Sequence, residues 1–227
     1  SAGDDFVYSG SNLLTKGIQV SPSGRIYAVG SASGSFTRWL VRESSDGGKT
    51  WTMGGSAPGA DYLSASDTLA SPYGIAFDIF GNSYVSGYSA QGSSTRWSVS
   101  KSSNEGLQWS ILDSNVGVSA ATVTVGSMGI GASPTSGNLY VFGVSYDSKA
   151  VTLPWLVKVS QDQGATWTTS DSFLEQGTIA SYPVAFTADP SGNLYIAGYS
   201  RDSAGSNREI VKRLACIPTK SPVSIPV

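Results

Sequence analysis

Histidine is absent from this chain of 227 residues, and the one cysteine is Cys216. Without histidine, no imidazole is present to act as a general base, to complete a Ser-His-Asp triad or to bind a metal. A lone cysteine cannot form a disulfide within the chain or build a cysteine zinc site. We therefore expect no metal, no cofactor, and no catalysis that depends on these two residue types.

Charged side chains are sparse, with 14 Lys and Arg against 16 Asp and Glu, which gives a net charge of −2. A nucleic-acid-binding protein needs a basic surface, so nucleic acid is not expected as a partner. No apolar run approaches the roughly 18 residues that span a bilayer, so membrane insertion is not expected either. The 27 glycines, 11 tyrosines and 6 tryptophans are typical of short strands joined by many turns, which indicates an all-β protein.

The pattern Ser-x-Asp/Asn-x-Gly-x-Thr/Gln-Trp occurs three times, and its tryptophans are 58 residues apart each time. Its recurring residues are Ser44, Asp46, Gly48 and Trp51; Ser102, Asn104, Gly106 and Trp109; and Ser160, Asp162, Gly164 and Trp167. Because Asn104 replaces the acid in the second copy, the side chain acts as a hydrogen-bond acceptor in a turn and not as a catalytic carboxylate. A fixed period of this size indicates a repeat architecture.

This motif resembles the Asp-box, or BNR, repeat of β-propellers, a group that includes sialidases and many non-enzymatic surface proteins. Each box lies beside further repeated strands, such as Trp39–Glu43 before the first box and Gly24–Gly30 before that strand. Inner, second and third strands occur four times, but the outer strand that follows a box occurs three times. The N-terminal segment 5–9 is the candidate for the missing outer strand.

The resulting prediction is a single four-bladed β-propeller of four-stranded antiparallel blades, closed by the N-terminal strand. The domain covers residues 1–216, and the alternative is part of a larger propeller. Residues 217–227, with three prolines, form a C-terminal extension. The blades cover residues 17–56, 74–113, 129–170, and 183–214 together with 5–9.

Two sets of aromatic residues recur from blade to blade. Tyr27, Tyr84, Tyr140 and Tyr195 are expected in the core, because they recur too regularly to form a site on one blade. The tryptophans that precede the third strands, Trp39, Trp97 and Trp155, allow two interpretations: packing between blades, or stacking on a sugar ring.

Function is expected on the face opposite the boxes, where the loops differ between repeats. The candidate ligand-binding residues on that face are Arg38, Tyr88, Arg96, Tyr146, Tyr199, Arg201 and Asp202. No residue is predicted to be catalytic. The Phe/Tyr-Arg-Ile-Pro motif of sialidases is absent, and none of the four glutamates is paired in sequence with an obvious tyrosine.

These observations predict a non-enzymatic recognition module at a bacterial surface, outside the cell, that binds a glycan or a surface protein. Its resemblance to domains at the ends of bacterial adhesive fibres implies an adhesin tip on a longer, trimeric fibre protein. Two alternatives stay open: a structural or protein-docking propeller, and a glycoside hydrolase related to sialidases. The hydrolase would depend on Glu175, Glu209 or Asp202.

Overall fold

The fold was examined in a computed structural model, which describes residues 12–33, 37–53, 69–91, 94–106, 108–113, 119–120, 126–144 and 152–214. All regular elements in these ranges are β-strands. The predicted closing strand 5–9, the extension 217–227 and Tyr146 lie outside the described residues. No helix that could span a bilayer occurs in the described ranges.

Sixteen β-strands occur in the described ranges. They are β1 (Asn12–Val20), β2 (Ile26–Ser33), β3 (Thr37–Ser44), β4 (Thr52–Met53), β5 (Leu69–Phe77), β6 (Ser83–Gln91), β7 (Ser94–Ser102), β8 (Ser110–Asp113), β9 (Ser119–Ala120), β10 (Gly126–Ala132), β11 (Leu139–Val144), β12 (Trp155–Ser160), β13 (Thr168–Phe173), β14 (Ala180–Ala188), β15 (Leu194–Arg201) and β16 (Asn207–Leu214).

The strands form four repeated antiparallel units: unit 1 (β1–β4), unit 2 (β5–β9), unit 3 (β10–β13) and unit 4 (β14–β16). Within each unit the inner strand pairs with the second, and the second with the third. A parallel bridge between Thr37 and Leu69 joins units 1 and 2 into one sheet. Units 3 and 4 are separate sheets of four and three strands.

The all-β architecture is therefore confirmed, but the closed ring of four blades is not. The described strands make three sheets, and none of them closes on itself. In unit 4, β16 has no fourth strand beside it among the described residues. The inner strand of unit 1 is exposed at Ile18 and Val20, so the described part of unit 4 does not cover it.

Three hydrophobic cores lie between successive units. The first joins unit 1 to unit 2, the second joins unit 2 to unit 3, and the third joins unit 3 to unit 4. We call the side of a unit that packs on the preceding unit its leading face, and the other side its trailing face. Trp39, Trp97 and Trp155 are fully buried on trailing faces, so they pack between units and are not available to stack on a sugar. Tyr27, Tyr84 and Tyr140 are buried there too, whereas Tyr195 is half-buried.

The boxes form the turns at one end of the units, which we call the lower face. In the first box Asp46 Oδ1 accepts the amides of Lys49 and Thr50 at 3.0 and 2.9 Å, and Oδ2 accepts the Thr50 hydroxyl at 2.6 Å. The Ser44 hydroxyl bonds to Asp46 at 2.8 Å and accepts the amide of Gly48 at 2.9 Å. The third box repeats the bonds of Ser44 and Thr50 with Ser160 and Thr166 around Asp162, while the amide of Ala165, the counterpart of Lys49, donates to the Asp162 backbone carbonyl.

The second box achieves the same turn with one fewer acceptor. Asn104 Oδ1 accepts the Gln108 amide and the Ser102 hydroxyl, both at 2.9 Å. Gln108 replaces the threonine of the other two boxes. The second box therefore has no threonine hydroxyl that would need the second oxygen of a carboxylate. The acid or amide of the motif thus stabilises the turn. These turns lie on the lower face and join strands whose other ends form the opposite, upper face.

Candidate functional site

All four inner strands carry a β-bulge at the same place near the upper face, where these strands begin. The register shifts by one residue between Thr15 and Gly17, Pro72 and Gly74, Ser127 and Gly129, and Pro183 and Ala185. A bulge adds one residue and redirects its side chain. The inserted residues are Lys16, Tyr73, Met128 and Val184.

The bulge explains why the second strand of every unit has a glycine opposite it. A Cβ on Gly87 would lie 2.1 Å from the Ser71 carbonyl oxygen, and one on Gly198 would lie 2.0 Å from that of Tyr182. Gly30 faces the same obstacle at the Leu14 carbonyl. Only glycine lets the second strand approach the bulged backbone this closely. The repeated glycine is thus a signature of the bulge, and the bulge in turn positions the upper-face side chains.

The first upper-face cluster joins units 1 and 2. Lys16 Nζ lies over the Tyr73 ring, 5.3 Å from its centroid, and the rings of Tyr73 and Tyr88 are 5.9 Å apart. Trp39 donates its indole N–H to the Tyr88 carbonyl at 3.3 Å, which fixes that strand end. Burial raises the pKa of the Tyr88 hydroxyl, so this group stays a neutral hydrogen-bond donor. The cluster offers half-buried aromatic surface, hydroxyls and one exposed cation.

The second upper-face cluster belongs to unit 4. The rings of Tyr182 and Tyr199 stack at 5.0 Å with an interplanar angle of 28°. These two residues and Glu209 lie directly opposite one another across β14, β15 and β16, so they share one face of the sheet. Next to the tyrosines in sequence, the hydroxyls of Ser181 and Ser200 bond at 2.6 Å in a fully buried position. This polar contact holds the two strands in register beneath the rings.

Most described carboxylates already have structural partners. Glu43 and Glu105 contact Arg25, Asp171 contacts Lys212, and the remaining engaged acids accept bonds within turns: Asp46, Asp78, Asp162, Asp189 and Asp202. Glu175 and Glu209 differ, since no described side chain or amide donates a hydrogen bond to either carboxylate.

Both of these glutamates lie at the upper end of unit 4. The backbone amide of Glu175 donates to the Ser181 hydroxyl at 3.3 Å, and the Glu175 carbonyl accepts the Thr178 hydroxyl at 2.6 Å. These bonds hold residue 175 against Ser181 at the start of β14, on the face of the sheet opposite to the Tyr182 ring. Glu209 is the direct neighbour of Tyr199 on the next strand. The upper end of unit 4 therefore combines two aromatic rings with two carboxylates that accept no hydrogen bond from the described residues.

The residues predicted from sequence are dispersed over the upper face. Tyr88 belongs to the first cluster and Tyr199 to the second. Arg38 and Arg96 are half-buried at the upper ends of β3 and β7 and belong to neither cluster. Arg201 donates from Nε to Asn207 at 3.0 Å, and Asp202 accepts the amides of Ala204 and Ser206 at 2.9 Å, so both are committed to the turn between β15 and β16.

Sequence reasoning missed Lys16, Tyr73 and Tyr182. A usable signal was present: Lys16 and Tyr73 each precede a glycine of the inner strand, Gly17 and Gly74, at matched positions of the repeat. The bulge that redirects them depends on pairing with the second strand and could not be read from one strand alone. In the described ranges, no group of three or more acidic or cysteine side chains is placed to bind a metal.

Comparison with known proteins supports the fold. A family model described as a β-propeller repeat matches residues 60–90, which include the first two strands of unit 2. No curated protein sequence matches the chain.

Three solved structures illustrate the likeness. A protein of unknown function from Dyadobacter fermentans has a TM-score of 0.63 at 12% identity, covering 91% of this chain and 67% of its own. The Penicillium chrysogenum α-L-arabinanase complexed with arabinobiose has a TM-score of 0.64 at 14% identity, covering 92% and 64%. The Trypanosoma rangeli sialidase in complex with 2,3-difluorosialic acid has a TM-score of 0.57 at 16% identity, covering 90% and 36%.

At these identities the likeness shows a propeller-type fold, and the chain spans about two thirds or less of the length of these proteins. The comparisons nevertheless overturn two predictions from sequence. The chain was expected to be a non-enzymatic adhesin tip and not an enzyme, but the named propellers are an arabinanase, α-L-arabinofuranosidases and sialidases. The error arose because the absence of histidine was given too much weight: glycoside hydrolysis needs two carboxyl groups and no imidazole.

Proposed function

We propose that this chain is a carbohydrate-active propeller of the glycoside hydrolase type, with its substrate site at the upper end of unit 4. The observation that carries the proposal is the position of Glu209 beside the stacked rings of Tyr182 and Tyr199, with Glu175 at the same end of unit 4. Aromatic faces bind the apolar face of a sugar ring, while hydroxyls and carboxylates bind its edges. The similar arabinanase and sialidase structures support the reaction class.

In this proposal the two glutamates supply the chemistry. Glycoside hydrolysis uses one carboxylic acid to protonate the leaving oxygen and one carboxylate to activate water or to attack the sugar. The eight acids that contact arginine, lysine, turn amides or hydroxyls would lose a structural bond by taking part. The cluster of Lys16, Tyr73 and Tyr88 provides a second aromatic surface for a further sugar unit.

Finer features of the fold are part of the same proposal. The bonding of Asp46, Asn104 and Asp162 in matched turns supports assigning the repeats to the Asp-box type. The lack of the sialidase arginine motif supports a member distinct from sialidases. We also propose that the propeller domain extends to residue 216 and that residues 217–227 form an extension. Because polymeric glycans lie outside cells, we place the protein there.

Hydrolysis can be tested with arabinan, 4-methylumbelliferyl α-L-arabinofuranoside and 4-methylumbelliferyl sialoside. We expect turnover of at least one substrate. Glu175→Gln and Glu209→Gln should each lower kcat about 10²–10⁴-fold, as the loss of an acid or base does. Glu105→Gln is the matched control, because Glu105 contacts Arg25 at 3.0 Å on the lower face and should not affect kcat. Absence of turnover on all three substrates, or equal activity of all variants, would contradict the proposal.

A further inference from the structure

Lys16 is a charged residue at a position that is uncharged in the other three units. The residues inserted by the inner-strand bulges are Lys16, Tyr73, Met128 and Val184, so unit 1 alone among these four has a cation there. The Lys16 side chain is exposed, and among the described residues no carboxylate forms an ion pair with it. Because a bulge redirects the side chain of its extra residue, the fold presents this ammonium group on the upper face.

Close packing of the inner strands brings Lys16 onto the bulge residue of unit 2. A Cβ on Gly17 would lie 3.5 Å from the Tyr73 carbonyl oxygen and 3.7 Å from the Cα of Gly74, so the two backbones are in contact beside the bulges. The Lys16 Nζ lies 5.3 Å from the centroid of the Tyr73 ring, which is a cation–π distance. This contact restrains a long side chain, so less conformational entropy is lost when the ammonium group binds an anion.

The groups around this ammonium are hydrogen-bond donors. The rings of Tyr73 and Tyr88 are 5.9 Å apart, and each carries a phenolic hydroxyl. Burial raises the pKa of Tyr88, so its hydroxyl keeps its proton. The three side chains together therefore offer an ammonium group and two phenol O–H donors. This set matches a carboxylate, which accepts hydrogen bonds at both oxygens and carries the charge that the ammonium group attracts.

The other tyrosine pair of the upper face has the opposite charge. Tyr182 and Tyr199 lie beside Glu209, whose carboxylate would repel an anionic ligand. The bulge residue of that unit, Val184, is exposed but uncharged. The two aromatic pairs therefore favour different parts of a ligand: a neutral sugar ring in unit 4, and an acidic group beside Lys16.

We propose that Lys16, Tyr73 and Tyr88 form a subsite for a carboxylated sugar, in which the Lys16 ammonium group binds the carboxylate and the tyrosine hydroxyls donate to the same sugar unit. The inference rests on the proposed function only in taking the ligand to be a glycan. It adds the chemical class, an acidic glycan whose carboxylate belongs to a uronic acid or to a sialic acid. Because the chain has a net charge of −2, overall charge does not attract such a ligand, and a local cation is required.

Isothermal titration calorimetry on the Glu209→Gln chain measures binding without turnover. The probes are trigalacturonate and 3′-sialyllactose, each with its methyl ester as a neutral match. We expect at least one acid to bind about tenfold more tightly than its ester, because a hydrogen bond to a charged group is stronger than a neutral one. This preference should decrease as NaCl is added, since the site is exposed.

Substitution of Lys16 separates the charge from the aromatic surface. Lys16→Met should weaken binding of the preferred acid about tenfold and leave the affinity for its ester unchanged, whereas Lys16→Arg should retain the preference. Lys49→Met is the matched control, because it removes the same charge from an exposed lysine of the first box, on the lower face. It should change neither affinity. Circular dichroism confirms that each variant is folded.

The outcomes decide both the subsite and the source of the carboxylate. Preference for trigalacturonate assigns a uronic acid, and preference for 3′-sialyllactose assigns a sialic acid. No binding of either acid, equal affinities for acid and ester, or equal losses from Lys16→Met and Lys49→Met would overturn the subsite. Binding of an acid without turnover of any glycoside contradicts the hydrolase and supports the subsite. Turnover of arabinan without preference for an acid does the reverse.

Discussion

At the scale of single residues, the boxes show that an acidic motif can be a structural device. Asp46 uses both carboxylate oxygens, one for two amides and one for the hydroxyl of Thr50. Asn104 has a single side-chain carbonyl oxygen, which accepts the backbone amide of Gln108. Gln108 is the residue that replaces the threonine of the other two boxes. The paired change from Asp and Thr to Asn and Gln keeps every acceptor in use, which a catalytic carboxylate would not allow.

The hydrogen bonds of Asp46 predict that its contribution to the stability of the fold decreases in acid. Hydrogen bonds from the hydroxyl and amide of Thr50, and from Ser44, lower the pKa of Asp46 below that of an unfolded chain. A lowered pKa stabilises the folded state above the unfolded value of about 3.9, and this contribution is lost as the pH falls. Asp46→Asn should therefore have a lower Tm than wild type at pH 7, and the difference should shrink towards pH 2.

Thermal unfolding followed by circular dichroism between pH 7 and pH 2 measures this change. Asn104→Ala is the control, because it removes a neutral acceptor and should lower Tm by an amount that does not vary with pH. A Tm difference between wild type and Asp46→Asn that is the same at pH 2 and pH 7 would show that the Asp46 charge does not contribute.

At the scale of strands, the bulge and the opposing glycine act as one feature. Gly87 and Gly198 are strand residues whose Cβ position is occupied by a backbone carbonyl, so a larger residue cannot be accommodated by a rotamer change. The sequence showed the glycine in all four repeats, but not its reason, which is a contact with another strand. For the same reason Lys16 and Tyr73 were not recognised as upper-face residues before the pairing was known.

Gly87→Ala should destabilise the chain by about 1–3 kcal/mol or more, as overpacking does in a rigid interior. Gly17→Ala is the matched control: its Cβ would meet the Val29 side chain at 3.2 Å and no backbone atom closer than 3.5 Å. We expect Gly17→Ala to lower the free energy of unfolding by less than Gly87→Ala does, because a 3.2 Å contact is far less severe than a 2.1 Å contact with a backbone oxygen. Urea denaturation measures both, and equal effects would argue against the bulge contact.

At the scale of the whole molecule, the repeat period predicted strands, turns and core tyrosines because these depend on local patterns. It did not predict how the ring ends, because closure depends on contacts between the first and last units. Local sequence patterns also could not rank the glutamates: Glu175 and Glu209 stand out only after Arg25, Lys212 and the turn amides are seen to contact eight other acids. Elimination of this kind requires the folded arrangement.

The exposure of unit 1 leads to a last prediction, which concerns the box tryptophans. Trp109 is buried in the core between units 1 and 2, whereas Trp51 has the same position in unit 1, which no described unit precedes, and is half-exposed. Trp109→Ala should cost about 3–5 kcal/mol of unfolding free energy, because it leaves a cavity between two units. Trp51→Ala should cost about 1 kcal/mol or less, because water already reaches that site. Urea denaturation at low protein concentration compares them, and similar losses for both would mean that the box tryptophan stabilises its own turn and not the contact between units.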